Sequence, residues 1–269
     1  MDVSCPKQLD RKTVLRVSSV SFSYDPAPNQ TSGAWIIRDL SLSVREAEIV
    51  CILGASGCGK STLLNVIAGL LRPQSGTMDL LSVDGMRSPI GYIFQQDALL
   101  PWRSVKANLS LVEDLKGSSA KDRVRESLPR YMKTFHLKEE ILDQFPAQLS
   151  GGMRQRVAII QALLFDPSLL LLDEPFSALD FYTKLKLESE FCRLVKEQGK
   201  AAILVTHDID EAIAMADRVL IMNQNGQLSN EFVIDFGEQD QTPETVRGTS
   251  QFAQYYSRIW SELKSVIAQ

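Results

Sequence analysis

A chain of 269 residues, 44% hydrophobic and 23% charged, can bury a sizeable core in one large α/β domain or two small ones. Its formal net charge of −4, with no long basic run, argues against nucleic acid as a partner. The four cysteines (Cys5, Cys51, Cys58 and Cys192) form no C-x-x-C pair, which fits a reducing compartment better than a disulfide framework or a zinc site.

The segment Met1 to Asp10 carries charges and a proline and lacks the apolar core of a signal peptide. Val14 to Tyr24 alternates apolar and polar residues, the period of a half-buried strand. The turn formers of Asp25 to Gly33 predict an exposed loop. Leu40 to Val44 alternates again, and Glu48 to Leu53 (EIVCIL) reads as a buried strand. Further strands are expected to close at Asp173 and to span Ala202 to Thr206. Helical patterns lie between them at Lys60 to Leu70, Gly151 to Phe165, Phe181 to Lys196 and Asp208 to Ala216. Such alternation predicts a largely parallel sheet covered on both faces.

Two segments differ from that rhythm. Val105 to Leu142 is charged and helical without convincing strands, as in a small helical subdomain inserted between sheet elements. Near the end, Phe252, Tyr255, Tyr256, Ile259, Trp260, Leu263 and Val266 share one helical stripe, expected to pack against the domain. The most apolar stretch, Leu169 to Leu172, falls far short of the roughly 20 residues of a membrane helix, so a cytosolic location is expected.

Gly54 to Ser61 reads GASGCGKS, a full match to G-x-x-x-x-G-K-[ST], after a buried strand and at the start of a helix. Glycines let the loop amides of Gly54, Ala55, Ser56, Gly57, Cys58 and Gly59 turn toward phosphates, and the helix N-terminus adds partial positive charge. Lys60 is expected to reach the β- and γ-phosphates, Ser61 to ligate Mg²⁺, and Thr62 to add a hydroxyl. Cys58, at a helix N-terminus, is a candidate reactive thiol, with small-residue packing as the alternative.

Leu169 to Pro175 reads LLLLDEP, an apolar strand ending in two carboxylates. Ligands of open α/β sheets bind at that edge. Asp173 is suited to the Mg²⁺ shell, and Glu174 to polarising a water that attacks the γ-phosphate.

These motifs sit in a wider pattern. Gln148 to Arg156 (QLSGGMRQR) resembles the LSGGQ signature of ABC ATPases, with Met153 where Gln is usual. Ser177 to Asp180 (SALD) resembles the D-loop, His207 the switch histidine, and Gln95 in IFQQ the Q-loop glutamine. Tyr24 lies where that family keeps an aromatic that stacks on adenine, although it could equally cover the core. The likeness runs from about Val14 to Met222. It implies a P-loop NTPase of ABC ATPase type: a mainly parallel α/β core, N-terminal antiparallel strands, and a helical subdomain at about 98–150 within a domain of 1–235. Residues 236–269 then form a C-terminal tail.

The resemblance further implies ATP and Mg²⁺ as ligands, with Gln95 touching the metal and the attacking water. Ser150, Gly151, Gly152 and Asp180 are then expected to complete the site of a second ATPase subunit, identical or paralogous. Leu99 to Val105 (LLPWRSV), DEPFSALD and VTHDIDEA are similar to importer ATPases for nitrate, sulfonates, taurine and bicarbonate. In those importers this surface meets a membrane permease, which makes Trp102 a candidate anchor, and a periplasmic or lipid-anchored solute-binding protein completes the complex. Importers of thiamine-precursor pyrimidines have similar ATPases. A non-transport ABC ATPase is the alternative of a different class, but its usual second ATPase domain or long coiled coil is not seen here.

Overall fold

The structure is a computed structural model that describes residues 11–25, 35–81, 89–96, 98–177, 179–237 and 242–267. Cys5, most of the Asp25 to Gly33 loop, and Ala178 of the SALD segment lie outside the described residues.

Three strands form a small antiparallel sheet in the order β2-β1-β4: β1 (Thr13–Phe22), β2 (Ile37–Arg45) and β4 (Ser75–Leu80). Register shifts along β1, including a left-handed Ser19 (φ 49°), break the simple alternation, so Val14 and Leu15 are both buried.

The main sheet has the order β5-β6-β7-β3-β8-β9. Its members are β3 (Ile49–Leu53), β5 (Ile90–Ile93), β6 (Leu169–Asp173), β7 (Ala201–Thr206), β8 (Arg218–Met222) and β9 (Leu228–Val233). The first five are parallel, and β9 closes the edge antiparallel to β8. Every residue of β3, β6, β7 and β8 is buried, as strands covered on both faces require.

Alternate side chains feed two cores. Val50, Ile52, Leu169, Leu171, Ile203 and Val205 pack with α1 (Lys60–Ile67) and the small sheet. Ile49, Cys51, Leu53, Leu170, Leu172 and Leu204 pack with the helices of the other face.

Within the expected helical insert lie α2 (Val105–Leu109), α3 (Leu111–Lys116) and α4 (Ser118–Thr134). They are followed by α5 (Gly151–Leu164), α6 (Phe181–Glu197), α7 (Ile209–Met215), α8 (Pro243–Val246) and α9 (Ser250–Ile267). Side-chain caps fix the helix starts nearest the site: Ser150 caps α5 at Met153 N (3.3 Å), Asp180 caps α6 at Thr183 N (3.0 Å), and Asp208 caps α7 at Asp210 N (2.9 Å).

The apolar stripe of α9 does pack on the domain: Phe252, Ile259, Leu263 and Val266 are buried in the helical-face core. Tyr256 and Trp260, expected on the stripe, sit on its exposed flank, where the Lys264 ammonium lies 5.2 Å from the Trp260 ring centroid. Among the described residues, no helix is long and apolar enough to cross a membrane.

Candidate functional site

Four neighbouring strands, β5, β6, β7 and β3, each deliver one part of the site at their C-terminal ends. Gln95 follows β5, Asp173 ends β6 and Glu174 comes directly after it, His207 follows β7, and the glycine-rich loop follows β3. A cavity of about 630 Å³ joins them, lined by Ser56, Gly57, Gly59, Lys60, Ser61 and Thr62 from the loop, and by Gln95, Glu174 and His207. Tyr24 and Ile36 form its outer wall.

The loop has its shape for steric reasons. Gly59 has φ 104°, and a Cβ there would lie 2.7 Å from the Ile36 carbonyl. Gly54 has ordinary φ but no room: a Cβ would meet the Met222 carbonyl at 2.7 Å and Cys58 Sγ at 2.8 Å. Lys60 Nζ donates to the Gly54 and Ala55 carbonyls at 2.8 and 2.9 Å. An ammonium has three donors, so one remains for a phosphate oxygen.

Ser61 Oγ donates to Asp173 Oδ1 at 2.9 Å, bringing a hydroxyl and a carboxylate together across 112 residues of sequence. Burial pushes the Asp173 carboxyl up from its ordinary value and the Glu174 charge adds to this, while the Ser61 bond and Lys60 pull it down. Among the described residues no group of three His, Cys, Asp or Glu could hold a metal. The available donors are hard oxygens, as suits Mg²⁺ held by one or two protein groups together with substrate phosphates.

Glu174 is the hub. Its Oε1 lies 3.0 Å from His207 Nδ1, and its Oε2 accepts from Gln95 Nε2 at 3.2 Å. The residue has φ 46°, a left-handed conformation costing roughly 1–2 kcal/mol in a residue with a Cβ. Its backbone is pinned there: Glu174 N donates to Val205 O (3.0 Å), and Glu174 O accepts from Ser177 Oγ (2.9 Å). The turn brings the end of β6 to the end of β7.

Other expectations fare differently. Tyr24 is 65% exposed, its ring edge-on to Phe22 at 5.0 Å and its hydroxyl 3.4 Å from Thr62 Oγ1. It therefore lines the cavity and does not cover the core. The reactive-thiol expectation for Cys58 is overturned. The side chain is buried in the core beneath the loop, outside the cavity lining, and burial raises its pKa more than Lys60 and backbone amides lower it. The Cys58 amide donates to Ala55 O at 3.3 Å. The Gly54 and Ala55 carbonyls accept from Lys60, and Gly54, Ala55, Ser150, Gly151, Gly152 and Asp180 are not among the residues that line the cavity. Instead Gly152 lies against Leu179, where a Cβ would come within 3.1 Å of Cδ2, and Asp180 is engaged as the cap of α6. Trp102 is 73% exposed. Sequence reasoning missed Ile36, whose signal is the apolar run Ala34 to Ile37 (AWII) that follows the turn-former cluster.

Comparisons with known proteins identify the family. The family model for ABC transporters matches residues 37–177, more than half of the chain. This chain belongs to the ABC transporter family. It is 40% identical over 265 residues to the uncharacterized ABC transporter ATP-binding protein YtlC of Bacillus subtilis (strain 168), covering 95% of this chain and 97% of the relative. It is 37% identical over 259 residues to the taurine import ATP-binding protein TauB of Yersinia pestis bv. Antiqua (strain Antiqua), covering 95% and 98%. Among solved structures, a dimeric post-hydrolysis state of an ATP-binding cassette bound to ADP and Pi superposes with TM-score 0.69 and 31% identity. That match covers 82% of this ABC protein and 99% of the solved chain.

Proposed function

We propose that this chain is the ATP-hydrolysing subunit of an ABC importer that powers uptake of a small solute through a separate membrane permease. The observation that carries the reading is the meeting of Lys60, Ser61, Gln95, Glu174 and His207 around one cavity, with Asp173 bonded to Ser61 beneath it. The importer assignment draws on the relatives, and a small anion such as nitrate, a sulfonate, taurine or bicarbonate is the favoured cargo class.

In this reading the loop amides and Lys60 bind the β- and γ-phosphates of ATP, while the Tyr24 ring stacks on adenine. Ser61, Asp173 and Gln95 hold Mg²⁺, which supplies positive charge against the phosphate oxygens. Glu174 accepts the proton of the attacking water as general base. His207 and Gln95 fix both carboxylate oxygens, which leaves a lone pair of the oriented carboxylate for the water.

Two copies pair head to tail, each offering Ser150, Gly151 and Gly152 to the γ-phosphate held by the other, with Asp180 of the D-loop completing the shared site. Residues 1–235 form the nucleotide-binding domain, with the helical subdomain at about 98–150 and the tail at 236–269. The subdomain surface with exposed Trp102 docks on the permease at the cytoplasmic face of the membrane, and a solute-binding protein completes the complex on the far side.

The deciding experiment is affinity purification of a Glu174→Gln chain, with MgATP, from detergent-solubilised membranes of its host. Recovery of a small permease is the expected result. Recovery of soluble machinery alone, with the bait dimeric, would overturn the importer reading.

A further inference from the structure

Behind the cavity lies a cluster of charged side chains that the reaction itself does not use. Lys184 and Glu188 are one turn apart on α6, Asp208 and Glu211 lie at the start of α7, and Arg247 follows α8 in the C-terminal segment. Lys184 Nζ donates to Asp208 Oδ2 at 2.7 Å and lies 3.6 Å from Glu211 Oε1 and 3.9 Å from Glu188 Oε1. Arg247 Nη2 donates to Glu188 Oε2 at 2.7 Å, and its Nη1 to Pro243 O, also at 2.7 Å. Glu188 is fully buried and Glu211 nearly so, and among the described residues Glu188 Oε1 and Glu211 Oε1 find no hydrogen-bond partner. Two cations thus face Asp208, Glu188 and Glu211, with Asp210 also within electrostatic range of both, and the carboxylates compete for Lys184.

The outcome of that competition reaches the reaction through one residue. Asp208 follows His207 directly and anchors its loop: Oδ1 accepts from Asp210 N and Glu211 N, and the Asp208 amide donates to Thr206 Oγ1 at 3.0 Å. His207 Nδ1 in turn meets Glu174. Lys184 does not line the cavity.

We propose that Lys184 is a positioning residue for His207, and that Arg247, by occupying Glu188, keeps Lys184 on Asp208, so that the C-terminal segment sets the hydrolysis rate. This rests on the ATPase reading above. Without Arg247, the buried Glu188 carboxylate has, among the described residues, Lys184 as its remaining counter-charge and draws it off Asp208. Burial pushes Glu188 up to about 7 even with Arg247 present, and a proton would also relieve it, so the test is run at alkaline pH.

The experiment compares kcat and ATP affinity at about pH 9 for full-length chains carrying Lys184→Met, Lys184→Arg, Arg247→Met, and Arg247→Met with Glu188→Gln. Lys184→Met is expected to lower kcat about tenfold, with ATP affinity within about twofold of wild type, because it misaligns His207 without touching the nucleotide. Lys184→Arg restores most of the rate. Arg247→Met lowers kcat several-fold, and adding Glu188→Gln brings it back by removing the competing carboxylate. A purely structural role would lower ATP affinity together with kcat and would give no such suppression. Unchanged kcat in Lys184→Met or Arg247→Met, or no recovery in the double variant, would overturn the inference. A wild-type chain without ATPase activity, or a Glu174→Gln chain as active as wild type, would instead overturn the reading beneath it.

Discussion

Replacing Glu174 with Gln separates the chemistry of the site from its architecture. The amide has the shape of the carboxylate, so its oxygen can still accept from Gln95 Nε2, now 3.2 Å from Oε2. Its NH₂ can donate to His207 Nδ1, now 3.0 Å from Oε1, once the imidazole adopts the tautomer with its proton on Nε2. Nothing in the loop contacts changes, because Lys60 is held by main-chain carbonyls and Ser61 by Asp173. What disappears is the basic lone pair that accepts the water proton. General-base removal costs about 10²- to 10⁴-fold in rate, or roughly 3–5 kcal/mol of barrier. The expected result is a kcat lower by that factor, unchanged ATP affinity, and a dimer that persists in MgATP. Phosphate-release kinetics, equilibrium nucleotide binding and light scattering measure the three. A kcat within about fivefold of wild type would refute the general-base role. A parallel loss of ATP affinity would refute the claim that the site geometry survives, and a monomer at saturating MgATP would refute the head-to-tail pairing.

Lys60→Ala should weaken ATP binding itself, by an order of magnitude or more for a lost charge-assisted contact; calorimetry showing undiminished affinity contradicts the assignment. Cys58 should react with iodoacetamide far more slowly in the folded chain than in the denatured one, since burial keeps its thiol protonated and covered. Rapid labelling of Cys58 in the native chain, followed by mass spectrometry, would show the buried placement to be wrong. Mixing inactive Lys60→Ala and Ser150→Glu chains should restore about a quarter of wild-type activity if sites form between two copies, since half of random pairs carry one intact site of two. Activity that stays at the level of the separate variants would exclude a shared site.

The local parts of this design were legible in the sequence. The phosphate loop is contiguous, and β3, β6 and β7 announce themselves because central strands covered on both faces must be apolar throughout. Of the strands that sequence reasoning passed over, β8 (RVLIM) is buried throughout and opens with a charged Arg218, and three others are not buried throughout. β4 (SGTMDL) is mostly exposed and exists because it pairs with β1, with Leu15 opposite Leu80. β9 (LSNEFV) is a half-polar edge, and β5 is four residues with a glycine inside. Glu174, Gln95 and His207 could each be singled out, yet their meeting depends on β5, β6 and β7 being neighbours, which is a fact of topology. The Lys184–Glu188 spacing is visible on a helix, but the Arg247 partner lies 59 residues away, beyond any local pattern. The thiol at Cys58 misled because helix-end electrostatics were weighed without burial, and burial dominates.

The hub arrangement suggests how such a site can be commanded from two directions. Gln95 stands just before the helical insert, whose surface is proposed to meet the permease. His207 stands just before α7, on which α9 and the segment around Arg247 pack. Both arms end on the two oxygens of one carboxylate. A hydrogen bond to a charged group contributes about 1.5–3 kcal/mol. Shifting either loop enough to break its bond therefore needs an input no larger than one good interfacial hot spot, about 2 kcal/mol or more. Because Glu174 is already held in a left-handed backbone by Val205 and Ser177, the main chain does not follow a departing partner, and the side chain loses one of its two tethers. Losing either bond should thus lower the oriented population and the rate, rather than let the carboxylate adapt. A rate that requires both contacts is a rate that requires both the insert and the C-terminal half to be in place.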